Sequence, residues 1–180
     1  VPFDRIRNRE TLGEVRSRCL LVAPGLSLVR YGGLAEQLLA CARSGTAVIL
    51  LAPAEGAAPV ADRAAGSPSL PEVTGLALSS AIRRLDKRLD PEGWAPDGGG
   101  AAVGWRPVER RGRLFLKTGP VDTGWGWVRV QQPDAAPVLL CGARLADRWD
   151  ASPAPRYFLL RMIESVTEPD GDGNQQRMDP

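Results

Sequence analysis

"CLLVAPGLSLVRYGGLAEQLLACARSGTAVILLAPAEG" (19–56) contains two short apolar runs separated by an amphipathic segment. "CLLVAPG" (19–25) is continuous until Pro24 and Gly25 end it. "GGLAEQLLACARSG" (32–45) puts Leu34, Leu38, Cys41 and Ala42 at helical spacing, with Glu36, Gln37 and Arg43 turned away and Gly45 placed as a C-cap. "TAVILLA" (46–52) is a second run rich in branched residues. Strand, helix and strand, with both strands apolar on both faces, predict a βαβ unit in a buried parallel sheet.

Working outward, residues 1–17 interleave Asp4, Glu10 and Glu14 with Arg5, Arg7, Arg9 and Arg16, a pattern expected of a salt-bridged surface rather than a nucleic-acid arm. Alanine, glycine and proline dominate 53–75, which predicts a long surface loop with at most a short turn of helix. "LSSAIRRLDKRLDPEGW" (78–94) predicts a helix capped by Ser79 or Ser80, with Ile82, Leu85 and Leu89 on one edge and Pro91 as its stop. "PDGGG" (96–100) reads as a flexible loop. The second half changes to strand patterns: "AAVGW", "RPVERRGRLFLKT", "WGWVRV" and "APVLLCGARL", with a hairpin turn at Arg111-Gly112. "DASPAPRYFLLRMIESV" (150–166) predicts a helix with Ser152 as N-cap and Leu159, Met162, Ile163 and Val166 on its apolar side. Residues 1–166 thus read as a single α/β domain, and 167–180 as a mobile tail without apolar content. The opening on Val1 rather than Met leaves two expectations open, a fragment of a larger protein or a processed product.

Composition narrows the chemistry. A net charge of +2, from 23 basic and 21 acidic residues, gives no reason to expect nucleic acid or a membrane surface as partner. No run has transmembrane length. The chain has no histidine, so neither a Ser-His nor a Cys-His pair can be assembled, and the commonest zinc ligand is missing. Cys19, Cys41 and Cys141 lack CxxC spacing and fall in apolar segments, as expected of buried thiols, with one disulfide plus a free thiol as the alternative. Neither a metal nor a cofactor is expected.

Candidate sites are few. The loop at 52–56 is not a P-loop, and "PGLSLVRYGG" has no Rossmann spacing. Its Ser27 lacks the G-x-S-x-G frame. Glu55 is the ionisable group at this strand end, suited to a sugar hydroxyl or to base catalysis, although a lone exposed acid is usually inert. Asp147 and Asp150 flank Trp149, a pattern that suggests glycoside chemistry. They also precede a helix, where acids serve its dipole and free N–H groups. In the tail, "DGDGN" lacks the closing glutamate of a calcium loop. In "WGWVRV", Trp125, Trp127 and Arg129 are expected on one strand face, either as a stacking platform for a sugar or base or packed into the core.

"CLLVAPG", the helix after it and "GTAVILLAPAEG" resemble the core of the class I glutamine amidotransferase-like superfamily. "APVLLCGARLADRWDASPAPRYFLLRMIESV" is similar to the closing strand and helix of its non-catalytic members, the trimerisation-like domains appended to beta-galactosidases and other glycoside hydrolases. The resemblance implies a flavodoxin-like parallel sheet flanked by helices, here with an additional antiparallel or mixed β region. In catalytic members the nucleophilic cysteine would stand near Ala52 to Ala54, where this chain has Ala, Pro and Ala. The resemblance therefore implies a catalytically dead relative: a carbohydrate-related accessory or protein-interaction domain. Its expected partners are a protein or neighbouring domains, with homo-oligomerisation open. Two alternatives remain. One is a sugar- or nucleotide-binding module using Gly25, Ser27, Glu55, Gly56, Trp125 and Trp127. The other is a histidine-free carboxylate enzyme using Glu55 or Asp147.

Overall fold

The computed structural model describes residues 4–6, 9–62, 71–86, 103–110, 113–120, 123–143, 145–150 and 152–167. Among the described residues there are eight strands: β1 (Cys19–Val22), β2 (Ala47–Leu51), β3 (Ala57–Asp62), β4 (Glu72–Leu76), β5 (Gly104–Arg110), β6 (Arg113–Gly119), β7 (Trp127–Gln131) and β8 (Val138–Cys141). The same residues include three α-helices: α1 (Leu34–Arg43), α2 (Leu78–Leu85) and α3 (Ala154–Thr167).

The βαβ reading of 19–52 holds. β1 and β2 pair in parallel, and β2 pairs in parallel with β8. β7 runs antiparallel to β8, and β4 antiparallel to β7, giving a mixed sheet of order β1-β2-β8-β7-β4. β3, β6 and β5 form a separate antiparallel sheet, so the fold is α/β with an added antiparallel region. Arg110 pairs with Arg113 across the β5–β6 hairpin, while Arg111-Gly112 lies outside the described residues.

Alternation along the inner strands separates two cores. Val48, Leu50, Val128, Val130, Val138 and Leu140 face α1 and the small sheet. Ile49, Leu51, Trp127, Leu139 and Cys141 face α2 and α3. Every residue of β2 is buried, as a strand covered on both faces must be. β1 departs from the expectation: it is an edge strand, and Leu21 is 42% exposed.

Local signals account for the C-terminal end of α1 and the N-terminal end of α3. After α1, Gly45 takes φ 93°, its N–H reaches Ala42 O at 3.0 Å, and Thr46 N–H reaches Cys41 O at 3.0 Å. These two bonds form a Schellman motif, which favours glycine at that position. Ser152 Oγ accepts from Ala154 N–H at 3.2 Å, as read from the sequence. For α2 the expectation needs correction. Ala77 holds the N-cap position, and Ser79 and Ser80 lie inside the first turn. The helix end is set by packing, because Leu78 presses on Gly126, where a Cβ would stand 2.7 Å from Leu78 Cβ. α2 ends at the extended Asp86, and the reading of Lys87 to Pro91 falls outside the described residues.

Three further corrections follow. The 53–75 stretch is not one loop: it carries β3 and β4, and 63–70 lies outside the described residues. "AAVGW" and "RPVER" are not two strands, since β5 runs unbroken from Gly104 to Arg110. The N-terminal segment is not simply a wet surface, because Leu12 is buried and Cys41 Sγ donates to its carbonyl at 3.4 Å. The "PDGGG" loop and the tail from 168 onward lie outside the described residues, and Thr167 is the last residue of α3.

Candidate functional site

At the carboxyl ends of β1 and β2, Gly25, Ser27, Glu55 and Gly56 do come together, in a joint rather than a cleft. Past the last ladder pair, Gly25 N–H donates to Ala52 O at 2.9 Å, Ala54 N–H to Leu26 O at 3.0 Å and Leu28 N–H to Glu55 O at 3.0 Å. Ser27 Oγ donates to Glu55 Oε1 at 2.9 Å while accepting Arg30 N–H at 3.0 Å. The two loops thus extend the parallel pairing beyond the strands. Gly56 then carries the chain to the small sheet. Its carbonyl accepts Thr118 N–H at 2.9 Å, and its N–H reaches Thr118 Oγ1 at 3.0 Å. With φ 126° and Leu28 Cβ 2.5 Å from the position of a Cβ, no other residue fits there without strain.

The tryptophans separate. β7 begins at Trp127, which is 6% exposed in the α2/α3 layer, whereas Trp125 packs into the opposite layer. The expected shared face holds for Trp127 and Arg129 and fails for Trp125, because the chain bends at Gly126 while Trp125 bridges Trp105 of the small sheet, with both backbone N–H···O bonds at 2.8 Å.

Asp147 and Asp150 have structural surroundings. Asp147 lies in the first turn of a short 3₁₀ segment, Ala146–Arg148. Asp150 pairs with Arg156 at 3.1 Å, and that guanidinium also covers the Trp149 ring at 5.6 Å. The three thiols are free; burial pushes Cys19 up to about 11 and Cys141 up to about 12, and raises Cys41. Neutral thiols at physiological pH are poor nucleophiles. Among the described residues no group of three or more Cys, Asp or Glu is placed to hold a metal, and no helix is long and apolar enough to cross a membrane.

A different recess emerges between the β4–β7 edge of the main sheet and the helices above it, with a volume of about 340 Å³. Its floor consists of three cross-strand pairs: Leu76 with Trp127, Thr74 with Arg129, and Glu72 with Gln131. The floor therefore grades from apolar to polar along the strands. α2 contributes Ala81, Arg84 and Leu85 to the walls, and α3 contributes Ser165. The two helices are tied where they meet. Tyr157 O–H donates to Asp86 Oδ2 at 2.5 Å, and Arg161 donates to Leu85 O at 3.4 Å. Of the stacking face expected from the sequence, Trp127 and Arg129 line this groove and Trp125 does not.

The chain matches no family model, no curated protein and no solved structure. The strand-end joint and the groove are the two candidate places on the fold. Of them, the groove has the dimensions of a small-molecule site, because such pockets start near roughly 300 Å³. Sequence reading missed it because Glu72 and Thr74 stood in a stretch read as loop. The available signal was the alternation of Trp127, Arg129 and Gln131, which places an arginine and an amide beside an indole on one strand face.

Proposed function

We propose that this domain is a non-catalytic accessory or protein-interaction module with a flavodoxin-like core of the glutamine amidotransferase-like kind. One observation carries the reading. Where a nucleophile would stand, Ala52, Pro53 and Ala54 are structural: Ala52 N–H bonds Cys141 O at 2.6 Å, and the loop is bonded to its neighbour instead of opening. The parallel β1-β2-β8 core, with α1 joining its first two strands, supports the fold comparison. Val29 at 66% exposure and Tyr31 at 40%, both just after the edge strand β1, offer apolar surface for a neighbouring domain, a protein partner or a second copy.

The test is glutamine hydrolysis and thiol-ester hydrolysis by the purified chain, compared with a Ser27→Ala/Glu55→Gln variant. Equal background rates are expected. Turnover that the variant loses would overturn the reading.

A second reading, a small-molecule binding module, is favoured by the groove over β4 and β7. There the ligand sits away from the strand-end loops, with Trp127 and not Trp125 beneath it.

A further inference from the structure

We infer that the outer face of the small sheet binds single-stranded nucleic acid, stacking a base on Phe115 while Arg106, Lys117 and Arg110 meet the phosphates on either side. Alternation assigns the two faces of that sheet. Trp105, Leu114 and Leu116 pack into the core shared with α1, so Arg106, Val108 and Arg110 of β5 and Arg113, Phe115 and Lys117 of β6 take the other face. Neither core includes Val108 or Phe115, and both side chains are half-buried. The register sets three rows: Arg106 opposite Lys117, Val108 opposite Phe115, and Arg110 opposite Arg113. β3 is registered against the same rows with Ala57, Pro59 and Asp62. Four basic residues and one acid thus fall in these rows, a segregation that the near-even charge of the whole chain hides. The face shares no residue with the groove or with the Ser27–Glu55 joint, so it stands or falls apart from both.

Like charges directly opposite one another are destabilising, because their Cβ atoms lie about 5 Å apart. This sheet has two such pairs, and no described residue gives Arg106, Lys117 or Arg110 an ion-pair partner. The Arg106 guanidinium extends over Gly119, where a Cβ would stand 3.6 Å from its Nε. An anionic partner relieves the repulsion, and the middle row says which kind. Rows two residues apart along a strand lie about 7 Å from each other, so the Val108–Phe115 row has a basic row on each side. A nucleotide within a strand has the same order, a phosphate on either side of its base. Arg113 lies 5.8 Å from the Phe115 ring centroid and widens the platform, since bases stack on guanidinium planes as well as on rings. An acidic peptide would use the charges and leave the ring idle. A duplex would keep its bases stacked on one another, out of the ring's reach.

The test is fluorescence anisotropy of the full chain with labelled oligothymidylate and oligouridylate of about twelve nucleotides, within the range of site sizes for such platforms. A DNA duplex of the same length and an oligoglutamate peptide are the comparisons. Single strands are expected to bind at low salt, with a log–log salt slope of about −2, as three neutralised phosphates give. Arg106→Gln and Lys117→Gln should each reduce that slope by about 0.7, and Phe115→Leu should weaken binding about tenfold at an unchanged slope. Because Phe115 is half-buried, thermal melts accompany its variant, and the exposed Lys117→Gln keeps the test decisive if Phe115→Leu loses its fold. No binding of either single strand at low salt overturns the proposal. So does binding that the Arg106 and Lys117 variants leave intact. Equal affinity for the duplex or for oligoglutamate, with Phe115→Leu without effect, shows a face that reads charge alone and also overturns it. A preference for one of the two single strands supports the proposal and names DNA or RNA as the partner.

Discussion

The indole of Trp125 lies flat on Gly75 of β4, so close that a Cβ there would overlap three of its ring carbons. This contact joins the main sheet to the small one, since the same tryptophan bridges Trp105. Gly75→Ala is therefore expected to cost about 1–3 kcal/mol through overpacking. Gly13, where a Cβ meets nothing within 4 Å, is the control, and Gly13→Ala should be neutral or slightly stabilising. Urea unfolding of the two variants checks both.

Ser152→Ala removes the acceptor for Ala154 N–H and should cost about 1 kcal/mol. Asp150→Asn, in contrast, breaks an ion pair whose carboxylate side chain is 95% exposed, so solvent screening leaves little to lose. Thermal melts should rank the first well above the second; a larger loss from Asp150→Asn would show that the Arg156–Trp149 cluster has been misjudged.

Tyr157→Phe deletes the hydroxyl that bonds Asp86 at the C-terminal end of α2. α2 has eight residues, too few to be stable alone, so its anchors matter. A loss of about 1–2 kcal/mol is expected, with faster amide exchange in Ala81 and Ile82 before the central strands respond.

The thiols fix the sign of an alkaline effect. Folding raises their pKa, so the folded chain keeps protons that the unfolded chain begins to release above about pH 8.5. Stability from this source is complete below that pH and is lost as pH climbs toward 11 and 12. Unfolding midpoints measured from pH 8 upward should fall, and Cys141→Ala should flatten the slope. At pH 8, a thiol reagent should label the half-buried Cys19 first and reach all three cysteines quickly only in denaturant.

The fold was legible where local chemistry and burial agree. Val48 to Leu51 is branched, continuous and bounded by Gly45 and Pro53, so β2 reads directly. β3 and β4 did not read, because "AAPVAD" and "EVTGL" carry proline, glycine and small residues that mark loops; pairing with β6 and β7 makes them strands. The α2 caps misled for a similar reason, since Leu78 packing on Gly126 outweighs a serine's local preference. The strand-end residues read as neighbours, but the Ser27–Glu55 bond spans 28 residues and follows from the parallel pairing of the two loops. The groove depends on pairing between β4 and β7, which lie more than fifty residues apart, and no local pattern encodes it.

The bend at Gly126 has a spectroscopic consequence. It puts a tryptophan on each side of the main sheet, Trp125 beside Trp105 on one and Trp127 on the other, with Trp125 and Trp127 separated by a single residue of chain. Trp125→Phe and Trp127→Phe, each subtracted from the signal of the parent with its five tryptophans, would make the two indoles separate gauges of the two layers. Coincident loss of both signals on heating would mark one cooperative unit, and a split would show which layer melts first.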